Sequence, residues 1–98
     1  MNFSEPWFKV TIPDNAVDEL KRETCPGHPL YGISVKVVAR RQDCDDVLFE
    51  LCDGSGRYAA VHLSYQEEKD PRWPECHLYR DFEDWVQNCM KQDHSEWI

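Results

Sequence analysis

From Ile33 to Tyr65 the chain alternates apolar and polar side chains with a period of two, in three runs broken by turn-forming residues. Ile33, Val35, Val37 and Ala39 alternate with Ser34, Lys36, Val38 and Arg40. Val47, Phe49 and Leu51 alternate with Leu48, Glu50 and Cys52. In the third run Ala59, Val61, Leu63 and Tyr65 alternate with Tyr58, Ala60, His62 and Ser64. This period places successive side chains on opposite sides of a strand and predicts one buried sheet face. The two breaks, Arg41 to Asp46 and Asp53-Gly54-Ser55-Gly56, are short enough for hairpin turns, the second with two glycines able to take positive φ. A three-stranded antiparallel meander follows.

Elsewhere the spacing is helical. After Pro13 and Asp14, the positions Ala16, Val17 and Leu20 fall on one stripe, with Glu19, Lys21, Arg22 and Glu23 elsewhere, and Pro26, Gly27 and Pro29 end the segment. Phe82, Trp85, Val86, Cys89 and Met90 recur at i, i+3, i+4, i+7 and i+8. Asp81 is the N-cap, and Glu83 and Asp84 sit in the first turn. This second stripe is expected to cover the apolar face of the meander, with residues 92–98 as a tail. Trp7 to Thr11 reads as a short edge strand or extended arm, and Cys76 to Tyr79 as a fourth strand. The expected fold is α+β: a three- to four-stranded antiparallel meander with an N-terminal and a C-terminal amphipathic helix packed on the sheet. Residues 1–98 form a single domain.

Between Tyr65 and Cys76 the composition turns polar, with two prolines around Trp73. This loop is longer than the usual connection and is a candidate binding loop. Between Gln42 and Gly56 the chain carries five carboxylates and no lysine or arginine.

The net charge of −8, with 31% charged residues, changes the picture further. Such a field repels nucleic acid and anionic membranes and attracts cationic proteins. No apolar run approaches the ~20 residues that span a bilayer, and the first ten residues carry no leader pattern. Five cysteines, an odd number without a close pair, read as reduced thiols in a cytoplasmic protein. The expected molecule is cytoplasmic and a monomer or weak dimer, without a nucleic-acid or membrane partner.

Candidate chemistry is sparse. Cys25 and His28 resemble half of a structural zinc site, and Cys76 with His77, and Cys89 with His94, add soft donors without a second close pair. No metal or cofactor is expected. His62, Tyr58 and Ser64 share one side of a strand and would be the groups of a ligand cleft or small enzyme site. No nucleophile elbow, phosphate loop, dinucleotide fingerprint or zinc-protease motif is present. Carboxylates beside an exposed aromatic remain: Asp43, Asp45 and Asp46 in one loop, and Glu67, Glu68, Asp70, Trp73 and Glu75 in another. That composition suits an interface gripping arginine and lysine. The alternative is a solubilising acidic surface with Trp73 folded onto its own sheet.

In Leu30-Tyr31-Gly32, Asp45-Asp46-Val47-Leu48-Phe49, Asp53-Gly54, Arg57-Tyr58-Ala59, Val61-His62-Leu63 and Phe82-Glu83-Asp84-Trp85 the chain resembles small acidic uncharacterised bacterial proteins, over about residues 30 to 90. In size and charge it also resembles toxin immunity proteins of the contact-dependent inhibition type. That second resemblance implies a non-enzymatic protein that neutralises a cationic partner, a cognate toxin such as a nuclease. The expected contacts are Asp43, Asp45, Asp46, Glu67, Glu68, Asp70 and Trp73. The alternative function is a small enzyme or ligand-binding domain using a cleft around His62.

Overall fold

A computed structural model describes residues 3–10, 15–66 and 68–97. Its elements are β1 (Trp7–Lys9), α1 (Ala16–Glu23), β2 (Val35–Arg41), β3 (Asp46–Leu51), β4 (Tyr58–His62) and β5 (Cys76–Tyr79), followed by a C-terminal helical run. All strand pairs are antiparallel, in the spatial order β1-β2-β3-β4-β5. The class is therefore α+β as expected. The sheet has five strands among the described residues, rather than three or four. Trp7–Lys9 joins it by pairing with Arg41, Arg40 and Ala39 at the free edge of β2. The far end of that expected edge strand, Thr11, lies outside the described residues, as does Asp14 before α1.

The larger correction concerns the faces. Both sides of the sheet are buried. Val47, Phe49, Leu51, Ala59, Val61 and Leu63 form one core with Ala16 and Leu20 of α1. Leu48, Tyr58 and Ala39 form a second core on the opposite side with Trp7, Trp85 and Met90. The C-terminal helix thus covers the side that strand alternation marks as the more polar one, and α1 occupies the apolar side. Two features make this possible. Across the β2–β3 ladder Val37 faces Phe49 and Ala39 faces Leu48, so Val38 is an extra residue. This bulge shifts Val38 and Ala39 together to the helix side, while Val35 and Val37 stay with the first core. The C-terminal helix also brings its own aromatic cluster. Trp85 lies edge-on to Trp7 at 5.1 Å and to Phe3 at 5.9 Å between ring centroids, and Phe82 lies 5.6 Å from Tyr58. Such pairs contribute beyond the area they remove from water.

The helical run begins as expected at Asp81, whose side chain accepts the Asp84 N–H at 2.8 Å. It does not stop at Met90. Helix α2 (Phe82–Trp85) passes through a π-helical turn, Val86–Met90, into α3 (Lys91–Trp97). Where a tail was expected, helix continues. Asp93 is what holds it there: its carboxylate accepts the Trp7 indole N–H at 2.8 Å and lies 3.3 Å from the Arg41 guanidinium. These tie α3 to β1 and β2 across the sheet.

One residue reverses its expected place. Glu23, read as solvent-facing, is fully buried. Its carboxylate accepts the Ser64 N–H at 2.7 Å, the Ser64 hydroxyl at 2.9 Å and the Tyr65 N–H at 2.8 Å. Those donors emerge just after β4, where Tyr65 takes a left-handed conformation at φ 58° and the ladder ends. The carboxylate replaces the missing strand partner, which is how a charged residue reaches the interior.

Candidate functional site

An antiparallel meander sends its turns alternately to the two ends of the sheet. The turn 42–45 after β2 and the loop 63–75 after β4 therefore emerge at the same end. The start of β1 joins them, with the Gln42 N–H bonded to the Pro6 carbonyl at 2.9 Å. The second hairpin turn, 52–57, lies at the other end. There Gly54 and Gly56 take positive φ, and Asp53 accepts the Ser55 N–H and hydroxyl, which hold its carboxyl down at about 2. Topology thus brings together the two acidic loops that sequence separates by some twenty residues.

The long loop is anchored at both ends. Glu23 holds its start. Near its end the buried His28 ring lies 2.8 Å from the Pro74 carbonyl through Nε2, while its Nδ1 accepts the Leu30 N–H at 3.0 Å. An accepting Nδ1 places the ring proton on Nε2, which donates to Pro74. Both ring nitrogens are consumed by main chain, so His28 has no lone pair to offer a metal beside Cys25. Gly27 serves this packing too. A Cβ there would meet the Pro71 side chain at 3.0 Å, and its φ is +100°.

The expected contact residues divide by environment. Asp43 forms a two-pronged pair with Arg41, at 2.8 Å to each oxygen, which lowers its carboxyl below the usual range. Asp45 is exposed, and its carbonyl accepts the Leu63 N–H at 3.2 Å. Asp46 lies 2.6 Å from His62 Nδ1. Asp70 is clasped by Arg72, whose guanidinium and backbone N–H hold its carboxyl at about 2. Glu68 is half-buried, and Glu67 lies outside the described residues. Trp73 is 46% exposed and belongs to neither core, although the loop bearing it is fixed through Pro74.

His62, Tyr58 and Ser64 do not line a common cleft. Tyr58 is buried against Phe82, and the Ser64 hydroxyl is turned to Glu23. His62 opens instead onto a cleft of about 330 Å³ bordered by Arg41, Asp46, Glu75, His77 and Asp93. Sheet register builds it. Asp46 faces His62 across β3 and β4, and the His62 N–H reaches the Glu75 carbonyl at 2.9 Å, so three strands present polar side chains in one row. His77 pairs with Glu75 at 3.1 Å. The cleft also reaches Tyr79 and Cys89, but it has no activated nucleophile there. Burial pushes the Cys89 thiol up to about 12 and the Tyr79 hydroxyl above its ordinary value, so both stay protonated at neutral pH.

Of Glu75, His77 and Asp93 sequence reasoning missed the last, while it read Glu75 as part of the acidic loop and His77 as a soft donor beside Cys76. Nothing in the sequence joined Glu75 and His77 to His62, and the β4–β5 pairing is what places them beside it. Among the described residues no helix is long and apolar enough to cross a membrane. In comparisons with known protein families, curated proteins and solved structures, nothing matches the chain.

Proposed function

We propose that this protein is a non-enzymatic binding protein that captures and neutralises a cationic protein through the acidic end of its sheet. The observation that carries the reading is the convergence of loops 42–45 and 63–75 on that end, with the Trp73 ring 46% exposed between carboxylates. An exposed aromatic in a loop of acidic groups is the usual anatomy of an anchor for arginine- or lysine-bearing partners. Arg41 and Arg72 neutralise Asp43 and Asp70 locally, so attraction comes from Asp45, Glu68 and the overall charge of −8. In its most specific form the proposal is a toxin immunity protein, the role its size and acidity resemble.

The test is binding kinetics with a basic protein recovered on the immobilised chain. Steered association makes the on-rate fall by about tenfold or more between ~50 and ~500 mM salt. Asp45→Asn combined with Glu68→Gln lowers the on-rate, whereas Trp73→Ala raises the off-rate and costs about 2 kcal/mol or more. Tight binding that ignores both salt and these substitutions refutes the proposal.

The cleft at His62 supports a second reading, a ligand-binding or small enzymatic site. Its warrant is the accessible His62 ring oriented by Asp46 at 2.6 Å. A small molecule whose binding is lost in His62→Ala, with partner capture intact, separates the two readings.

A further inference from the structure

We infer that Cys44, Asp46 and His62 form a binding site for a divalent transition metal of the zinc class. Among the described residues these three bring a sulfur, a carboxylate oxygen and an imidazole nitrogen within 4.8 Å of one another. Three donor types converging at one point is different in kind from a patch of like charges. It is the mixed set that borderline-soft metals prefer and that magnesium and calcium do not.

The site is placed by the sheet. Asp46 and His62 are direct partners in the β3–β4 ladder, so their side chains leave the same face at adjacent positions whatever the surrounding loops do. Cys44 lies two residues before Asp46 in the tight turn after β2. In a tetrahedral site with metal–ligand distances of about 2.0–2.3 Å, neighbouring donor atoms stand roughly 3.3–3.7 Å apart. The present spread closes by rotation of two exposed side chains, since the His62 side chain is 57% exposed and Cys44 is at the surface. Asp46 and His62 are now joined at 2.6 Å by a hydrogen bond at Nδ1. As the metal replaces its proton, the neutral ring carries its one proton on the nitrogen that the metal leaves free.

The charges balance. A Cys44 thiolate and an Asp46 carboxylate match a divalent cation, and the thiol proton passes to solvent as the metal–sulfur bond forms. Three protein donors leave a fourth position for water or a ligand group, and Asp46 and His62 also border the cleft that holds Glu75 and His77. The spacing escaped the sequence because no close pair of soft ligands exists. Cys44 and His62 lie on different elements, and only strand register joins them.

Cobalt(II) titration of the full chain under reducing conditions decides the matter, read by the thiolate-to-cobalt charge-transfer absorption. The expected result is saturation at one equivalent, with displacement by zinc and none by magnesium. Cys44→Ser abolishes the band, while Cys52→Ser, which removes an exposed thiol on the opposite hairpin, preserves it. His62→Gln and Asp46→Asn each weaken binding by more than the roughly 10–100-fold that loss of an outer-shell partner costs. Far-ultraviolet circular dichroism verifies that each variant is folded, and both His62 and Cys44 are exposed enough for substitution without core damage. Absence of the band in the unaltered chain, its persistence in folded Cys44→Ser, or an unchanged cobalt affinity in folded His62→Gln overturns the inference. The measurement uses the protein alone, so its failure leaves partner capture untouched, and the partner-binding substitutions avoid all three ligands.

Discussion

Replacing Trp85 by alanine removes the centre of the second core. The ring is 0% exposed and packs against Trp7, Phe3 and Phe82 at centroid distances of 5.1, 5.9 and 5.5 Å. A buried tryptophan removes about 150–250 Å² from water, which at ~25 cal/mol per Å² corresponds to roughly 4–6 kcal/mol. One term works against this. The indole N–H is buried without a hydrogen-bond partner. An unmet buried donor costs about 1–3 kcal/mol, and the truncation relieves it. The net expected loss is therefore about 1–5 kcal/mol, centred near 3 and overlapping the usual range for such truncations. Trp85→Phe keeps an aromatic ring in the cluster while deleting the orphan donor, so its cost is expected to stay under ~1.5 kcal/mol. Urea unfolding at low temperature, followed by circular dichroism with matched slopes, measures both. A total stability of roughly 5–15 kcal/mol leaves the alanine variant near the edge of folding. A Trp85→Ala midpoint unchanged from the parent would refute the packing of the C-terminal helix on this face. A phenylalanine variant as damaged as the alanine one would refute the argument about the indole N–H.

Two further expectations concern the anchors of the long loop. Burial raises the Glu23 carboxyl above its ordinary value, with Glu19 one turn away adding to the shift. A carboxyl raised in the folded state binds its proton more tightly than in the unfolded chain. Its contribution to stability is thus greatest below the unfolded value near 4.5 and declines as pH rises through the folded value. Urea midpoints measured from pH 4 to 7 in the parent and in Glu23→Gln should show this decline only in the parent, and equal slopes would exclude it. His28→Ala leaves the Pro74 carbonyl and the Leu30 N–H without partners, at an expected cost of about 1–3 kcal/mol. Amide exchange should accelerate in residues 63–75 ahead of the sheet, and uniform protection across both would show that His28 does not hold the loop.

The parts of this fold that were legible in advance are those whose cause is local. Alternation in residues 47–51 and 59–63 reflects the two-residue period of a strand. Gly54 and Gly56 mark a turn needing positive φ, and Asp81 caps a helix whose stripe runs from Phe82 to Met90. Each depends on neighbours within a few positions, so the order of residues suffices to determine it. The choice of face was different. Val47, Phe49 and Leu51 point one way from β3 and Leu48 the other, and nothing within the strand says which helix will cover which side. That was decided by the unpaired Val38, by the aromatic cluster joining Trp7 to Trp85, and by the bond from Asp93 to the first strand. The candidate site follows the same division. Its acidity and Trp73 were visible as composition, but the row of Asp46, His62 and Glu75 comes from hydrogen-bond register across three strands. Register is an agreement between segments distant in sequence, reached only when both faces of the sheet find their covers. For that reason the interior place of Glu23 and the meeting of Cys44 with His62 belonged to the tertiary structure alone.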